Sequence, residues 1–116
     1  MSQVAAASTA EITRVQIARY AGAVGDFNPM HLDDEFARAA GMPSVIAHGP
    51  LTLALVIDML VAQLGADALT SFDARLRAPV VPGDTLHLVP TDDGIEVRNG
   101  IDTVVATVQF DHGSIE

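Results

Sequence analysis

There is no cysteine in the 116 residues. Disulfides and thiolate chemistry are therefore excluded, and the redox compartment leaves no trace in cysteine usage. Lysine is missing too, because all six basic residues are Arg. That absence rules out a Schiff-base lysine mechanism. Positive charge is scarce against fifteen acids, and the formal net charge is −9. A nucleic-acid binder needs a basic footprint, and an anionic membrane surface repels the same acidic excess. Neither is expected as a partner. A small anionic ligand held by one or two local Arg stays open. The first ten residues carry no basic cluster and do not read as a signal peptide. The longest mostly apolar run, 51–64, is broken by Thr52, Asp58 and Gln63. At about 1.5 Å per residue it is too short to span a bilayer. A soluble cytoplasmic protein is the expectation.

What is present suffices for a core, since 49% of the residues are apolar. The length fits one domain, 1–116, with residues 1–9 expected to be disordered and Glu11 to Thr13 to form a short strand. Thr13-Arg14-Val15-Gln16 has the capping-box pattern. It opens a helix running to about Ala23, with Val15, Ile17, Ala18 and Ala21 as its apolar set. Asp33 or Asp34 can cap a second short helix, 35–40, with Gly41 just past its end. Pro50 suits the first turn of a third helix that Gly65 ends. That helix is apolar nearly all round, so other elements must wrap it. From Ser71 the pattern alternates with period two. Strands are expected at 72–78, 85–89, 95–98 and 103–110, with a turn at Pro82-Gly83-Asp84 and a tight hairpin at Asn99-Gly100. A buried helix followed by an antiparallel meander predicts an α+β domain whose sheet wraps one central helix.

The chemistry concentrates in Gly25-Asp26-Phe27-Asn28-Pro29-Met30-His31. An acid and an imidazole stand five residues apart around Asn-Pro. The residue before a proline is pushed out of the helical region, so the segment bends. Both side chains can then converge on one small volume, the mounting that general acid–base catalysis needs. Taken alone, Asp26 can equally be a turn-forming acid and Asn28 a simple Asx turn.

The run from Tyr20 through Gly25-Asp26-Phe27-Asn28-Pro29-Met30-His31 to Asp33, with Phe36-Ala37, Gly41 and His48-Gly49, resembles the hydratase 2 motif of MaoC-like, R-specific enoyl-CoA hydratases. The later Phe72 to Ala78 stretch, with Pro79-Val80-Val81-Pro82-Gly83-Asp84-Thr85-Leu86, is similar to the strand and turn after that family's central helix. Together the matches cover roughly residues 14–86. The resemblance implies a single hotdog, an antiparallel sheet wrapped around a long helix. It also implies an acyl tunnel at an interface between hotdogs, hence a homodimer or a heterodimer with another MaoC-like subunit. The implied reaction is reversible hydration of a trans-2-enoyl thioester, on coenzyme A or an acyl carrier protein, to an (R)-3-hydroxyacyl thioester.

By the same resemblance, Asp26 and His31 handle the water and protons, and the Gly49 backbone N–H donates to the developing oxyanion. Gly49 precedes a buried helix, where N–H groups point outward and the dipole favours negative charge. Pro50 has no N–H, a departure from many relatives that leaves the donation to Gly49. Asn28 matches a position that holds substrate or loop. Arg77, with Arg75 on the same strand face, can reach the phosphates of coenzyme A or a carrier arm; solvated strand arginines are the alternative. His48 reads as structural, and His87 and His112 receive no role. Asp33 and Asp34 beside His31 read as helix caps and not as metal ligands; no metal and no cofactor are expected. Two alternatives stand beside the hydratase: a hotdog thioesterase, for which Asp58 is the acid on the central helix, and a non-catalytic subunit of a heteromeric hydratase. The segments 85–89 and 95–98 are short for strands that wrap a whole helix, which predicts either a partner chain that completes the sheet or a wide acyl tunnel.

Overall fold

The computed structural model describes residues 4–113. Three helices precede or interrupt a five-stranded sheet: α1 (Arg14–Val24), α2 (Asp34–Ala39) and α3 (Gly49–Leu64), with β1 (Ala7–Ser8), β2 (Leu69–Leu76), β3 (His87–Thr91), β4 (Gly94–Arg98) and β5 (Val104–His112). The strand order is β1-β3-β4-β5-β2, and every pair is antiparallel. One face of the sheet carries Leu88, Ile95, Val97, Val105 and Val108 into the core, where they meet Val56, Leu60 and Leu64 of α3. This is the hotdog arrangement, an antiparallel sheet against one central helix.

Residues 4–9 depart from the expected disorder. Val4 is buried, and the side-chain amide of Gln63 in α3 clamps the Ala5 backbone from both sides, accepting from its N–H at 2.7 Å and donating to its carbonyl at 3.0 Å. Residues 1–3 lie outside the described residues. The leading strand falls at Ala7–Ser8, paired with His87 and Leu88, and not at 11–13. The chain still runs on beside the 83–88 segment: Thr9 N–H donates to the Leu86 carbonyl and Ile12 N–H to that of Asp84. Ile12 is buried, so it belongs to the core without belonging to a strand.

The helix ends follow the sequence signals closely. Thr13 accepts from the Gln16 N–H at 3.0 Å. Asp33, not Asp34, caps α2 by accepting from the Glu35 and Phe36 N–H groups. Gly25 ends α1 in the left-handed region at φ 75, where a residue without Cβ has no steric penalty. On α1 only Ile17 and Ala21 are buried, while Val15 and Ala18 face out. The second meander strand sits two residues later than expected, at 87–91. The turn before it is a β-turn with Pro82 and Gly83 at its centre: Gly83 has φ 95, and Asp84 N–H donates to the Val81 carbonyl, the pattern of a type II turn. The Asn99-Gly100 connection is wider than a two-residue hairpin. The Asn99 side-chain oxygen accepts from the Ile101 and Thr103 N–H groups, and Asp102 takes φ 67. A buried Asx cap therefore spreads the turn over 99–103.

Candidate functional site

The loop from Gly25 to His31 is built almost wholly from its own short-range bonds. The Gly25 and Asp26 N–H groups both return to the Ala21 carbonyl, which closes α1 and turns the chain. The Asp26 carboxylate then accepts from the Asn28 N–H at 3.3 Å. The Asn28 side-chain oxygen accepts from the Met30 N–H at 2.9 Å, capping the 3₁₀ turn Pro29–His31. Asn28 is thus an Asx cap, and its oxygen is committed to the loop. Its side-chain NH₂ is the part left to meet a bound molecule.

Two further bonds fix His31. Its main-chain neighbour Met30 accepts through its carbonyl from the Ile46 N–H at 3.0 Å, and the ring Nδ1 lies 2.7 Å from the Ile46 carbonyl. A carbonyl only accepts, so Nδ1 carries the hydrogen. Nε2 is left facing Asp26, at 4.0 Å from Oδ2. That gap is too long for a direct hydrogen bond. One water about 2.8 Å from each atom would span it. The His31 side chain is 12% exposed and that of Asp26 51%, so the pair sits at the rim of the fold with access from one side.

His48 completes the cluster. Its ring stacks on that of His31 with centroids 3.7 Å apart and planes 21° apart, and Tyr20 of α1 packs on it with centroids at 4.8 Å. His48 is 1% exposed. Its Nε2 lies 3.1 Å from the Asp26 carbonyl, which again assigns that nitrogen the hydrogen. Its Nδ1 is buried without a hydrogen-bond partner. Asp26, His31 and His48 each offer a ligand atom, all within 4.8 Å of one another. The stack works against a shared metal ion. An ion about 2 Å from one ring nitrogen lies in that ring's plane, and two nearly parallel planes this far apart do not meet there. The geometry favours handling of protons and water.

The same residue leads into α3. His48 is its N-cap and Gly49 its first residue. The first intrahelical bond is Thr52 N–H to the His48 carbonyl. The Gly49 N–H therefore has no intrahelical acceptor, and Pro50 has no N–H to offer. A donor at the positive end of a 16-residue helix is available for an oxyanion. A Cβ on Gly49 would lie 2.6 Å from Leu76 Cδ1, so β2 meets the glycine through the tip of one leucine side chain. The structure thus brings Asp26, Asn28 and His31 together, with Gly49 one residue beyond the stacked ring.

Arg77 is not in that group. It lies just past β2, and its Nε donates to the Thr107 hydroxyl at 3.3 Å. Thr107 alternates with the buried Ala106 and Val108, which puts this contact on the sheet face away from the core. There Arg77 lines a polar groove with Asp73, Arg75 and Glu96. Asp33 caps α2, and Asp34 takes the Val45 N–H and pairs with Arg14 at 2.9 Å. These bonds hold its carboxyl below the ordinary carboxylate range, the Val45 bond most and the Arg14 bond next. His87 clasps β1 to β3, with Nδ1 2.6 Å from the Ser8 hydroxyl. His48, expected to be structural, is bonded to the Asp26 backbone carbonyl; its stacking on His31 is what the sequence does not reveal.

The model of the MaoC-like domain family matches residues 2–113. Over 102 residues the chain is 41% identical to the 3-hydroxyacyl-thioester dehydratase Y of Mycobacterium tuberculosis, covering 79% of this chain and 35% of that protein. A UPF0336 protein of Saccharopolyspora erythraea is 35% identical over 111 residues, covering 86% of this chain and 70% of that one. The unliganded R-hydratase PhaJ1 of Pseudomonas aeruginosa superposes with a TM-score of 0.81 at 23% identity, over 100% of this chain and 83% of that one. The chain spans about a third of the length of the dehydratase it matches.

Proposed function

Because the chain belongs to the MaoC-like domain family, we propose that it catalyses the reversible addition of water to a trans-2-enoyl thioester, giving the (R)-3-hydroxyacyl thioester. The observation that carries this reading is the 4.0 Å gap between His31 Nε2 and Asp26 Oδ2, with the Gly49 N–H at the start of α3 next to the stacked His48. A water in the gap is oriented by both groups. His31, with Nδ1–H committed to Ile46, presents Nε2 as the base toward it. As the water oxygen bonds to the β carbon, the π electrons shift onto the thioester oxygen, where the Gly49 N–H meets the charge. The acid–imidazole pair returns the proton to the α carbon. One water is consumed, and the site ends in the protonation state in which it began.

The thioesterase alternative has less support. Asp58 is exposed on α3, nine residues past Gly49, or roughly 13 Å along the helix axis at about 1.5 Å per residue. It is remote from the imidazoles and from the oxyanion end. Arg77 is retained as a contact to the charged carrier only if the carrier crosses the outer sheet face. Coenzyme A and acyl carrier protein both remain candidate carriers, and no metal or cofactor enters the scheme.

The test follows both products at once. Crotonyl-CoA and a bulkier enoyl-CoA are offered, with the ultraviolet absorbance of the conjugated thioester and free thiol monitored in parallel. Loss of conjugation without thiol release is expected. Thiol release instead selects hydrolysis, and neither signal, with or without a second MaoC-like subunit, selects the non-catalytic role.

A further inference from the structure

His48 is buried, polar and half-satisfied. One ring nitrogen is bonded to the Asp26 carbonyl, and the other has no partner. Folding alone gives no reason for such a residue, because a phenyl or aliphatic side chain would fill the same space without an unmet buried acceptor. Violations of that kind concentrate where function requires them.

We propose that His48 is the positioning residue of this site: its Nε2–H ties the acid–imidazole loop to the oxyanion end of α3, and its ring face seats His31. The proposal rests on the hydratase reading given above. Three constraints meet in this one residue. The bond to the Asp26 carbonyl fixes the residue whose carboxylate holds the water. The 3.7 Å stack fixes the plane of the His31 ring, whose Nδ1–H bond to Ile46 alone leaves it free to swing about that bond. Covalent continuity to Gly49 does the rest, since the donor N–H belongs to the very next residue. The separation between the water pair and the oxyanion donor is therefore set through His48. Misplacement of reacting groups by about 1 Å can cost on the order of 10²-fold in rate. The groups facing the stacked pair are Asp26 from the loop and Tyr20 from α1; both are polar or acidic, and neither reaches Nδ1 of His48.

Two substitutions separate the contacts. His48→Phe keeps a ring face and removes the donor. His48→Gln places an amide N–H near the position of Nε2 and removes the ring. For His48→Phe, kcat is expected to fall about 10²-fold with KM within about threefold, since uniform binding is untouched. His48→Gln is expected to restore at least tenfold of that loss. An unchanged kcat in His48→Phe, or a loss that falls on KM, overturns the proposal, as does a Gln variant no better than Phe.

A second readout needs neither variant nor turnover. Imidazole ¹⁵N correlation spectra of the unaltered chain are expected to show His48 as the Nε2–H tautomer and His31 with hydrogen on Nδ1. A His48 found as the Nδ1–H tautomer overturns the proposal even if hydration is robust. If the chain turns over no enoyl thioester, the hydratase reading fails separately, while these spectra still decide whether His48 holds the loop.

Discussion

In the proposed reaction Asp26 and His31 divide one task, so neither is expected to substitute for the other. The 4.0 Å separation is one that a single water can span. Removing either group is expected to cost about 10²–10⁴ in kcat, or roughly 3–5 kcal/mol of barrier. Asp26→Asn keeps the shape and one acceptor oxygen for the Asn28 N–H, so its loss reads as chemistry and not as loop collapse. His31→Ala also gives up the Ile46 bond. The double variant is expected to be little worse than the worse single one, because groups acting as a unit are not additive. Steady-state hydration of crotonyl-CoA checks all three, and a single variant at the unaltered rate removes that residue from the mechanism.

Asp34 makes a separate prediction at the same scale. Its carboxyl is held down first by the Val45 N–H and then by Arg14, and through Val45 it braces the segment that presents Ile46 to His31. A depressed folded value means stability that is present above the unfolded carboxylate value, about 3.9, and lost as pH falls through the folded one. Asp34→Asn removes that dependence. Urea midpoints of the two proteins are expected to differ by a constant amount above about pH 5 and to converge below about pH 4. Parallel curves across pH 3–7 would refute the assignment.

At the scale of elements, the start of α3 is where packing and chemistry meet. A Cβ on Gly49 would come 2.6 Å from Leu76 Cδ1. Leu76 is half-exposed, so its flexible end can swing aside, and whatever strain is left falls on the Gly49 backbone. Gly49→Ala is expected to lower kcat by moving the N–H, with a small loss of stability. Adding Leu76→Ala clears the contact, so the double variant is expected to recover kcat over Gly49→Ala alone. No recovery would show that the contact with Leu76 is not what the glycine avoids.

These elements also show how far the sequence could be read. The capping residues Thr13 and Asp33, the Pro82-Gly83 turn and the long α3 were legible because each depends on bonds within four residues. The turn of the acid–imidazole loop was legible for the same reason, though the bond that orients His31 comes from Ile46, beyond the reach of local signals. The order of residues 4–9 was not, because it comes from Gln63, 58 residues away in sequence. The Asn99 turn is wider than the sequence suggests because the Asn99 side chain adds two bonds to the backbone bonds from Asn99 N–H to Thr103 and from Asp102 N–H to Asn99. The stacking of His48 on His31 is not legible, because it requires the 42–48 segment to fold back over the loop, a contact that no periodicity announces.

The molecule as a whole is longer than its chain length suggests. Its radius of gyration is 14.9 Å, against about 13.4 Å for a compact domain of this size, and its extents are 51 × 28 × 21 Å. Two surfaces are left unpaired among the described residues. β2 stands at the sheet edge with no neighbour on its outer side, and edges of that length are a ready template for pairing. Along α3, Leu53, Ile57 and Val61 recur every four residues and are only half covered. The sheet wraps one side of a helix that is apolar on both. We propose that a second hotdog covers this row, as the resemblance implied. Light scattering behind size exclusion is then expected to give the mass of two chains. Ile57→Asp, on the half-covered row and away from the Asp26 loop, is expected to give one chain with its fold retained. The charge of −9 on each copy adds a signature of its own. Repulsion between like-charged copies is long-ranged at low ionic strength, where the Debye length is about 30 Å at 0.01 M, and is screened to about 8 Å at 0.15 M. The dimer is therefore expected to tighten as salt rises over that range, opposite to an interface held by ion pairs. A single-chain mass at every salt concentration would reject the homodimer. Activity that then returned only on adding a second MaoC-like subunit would select the heterodimer.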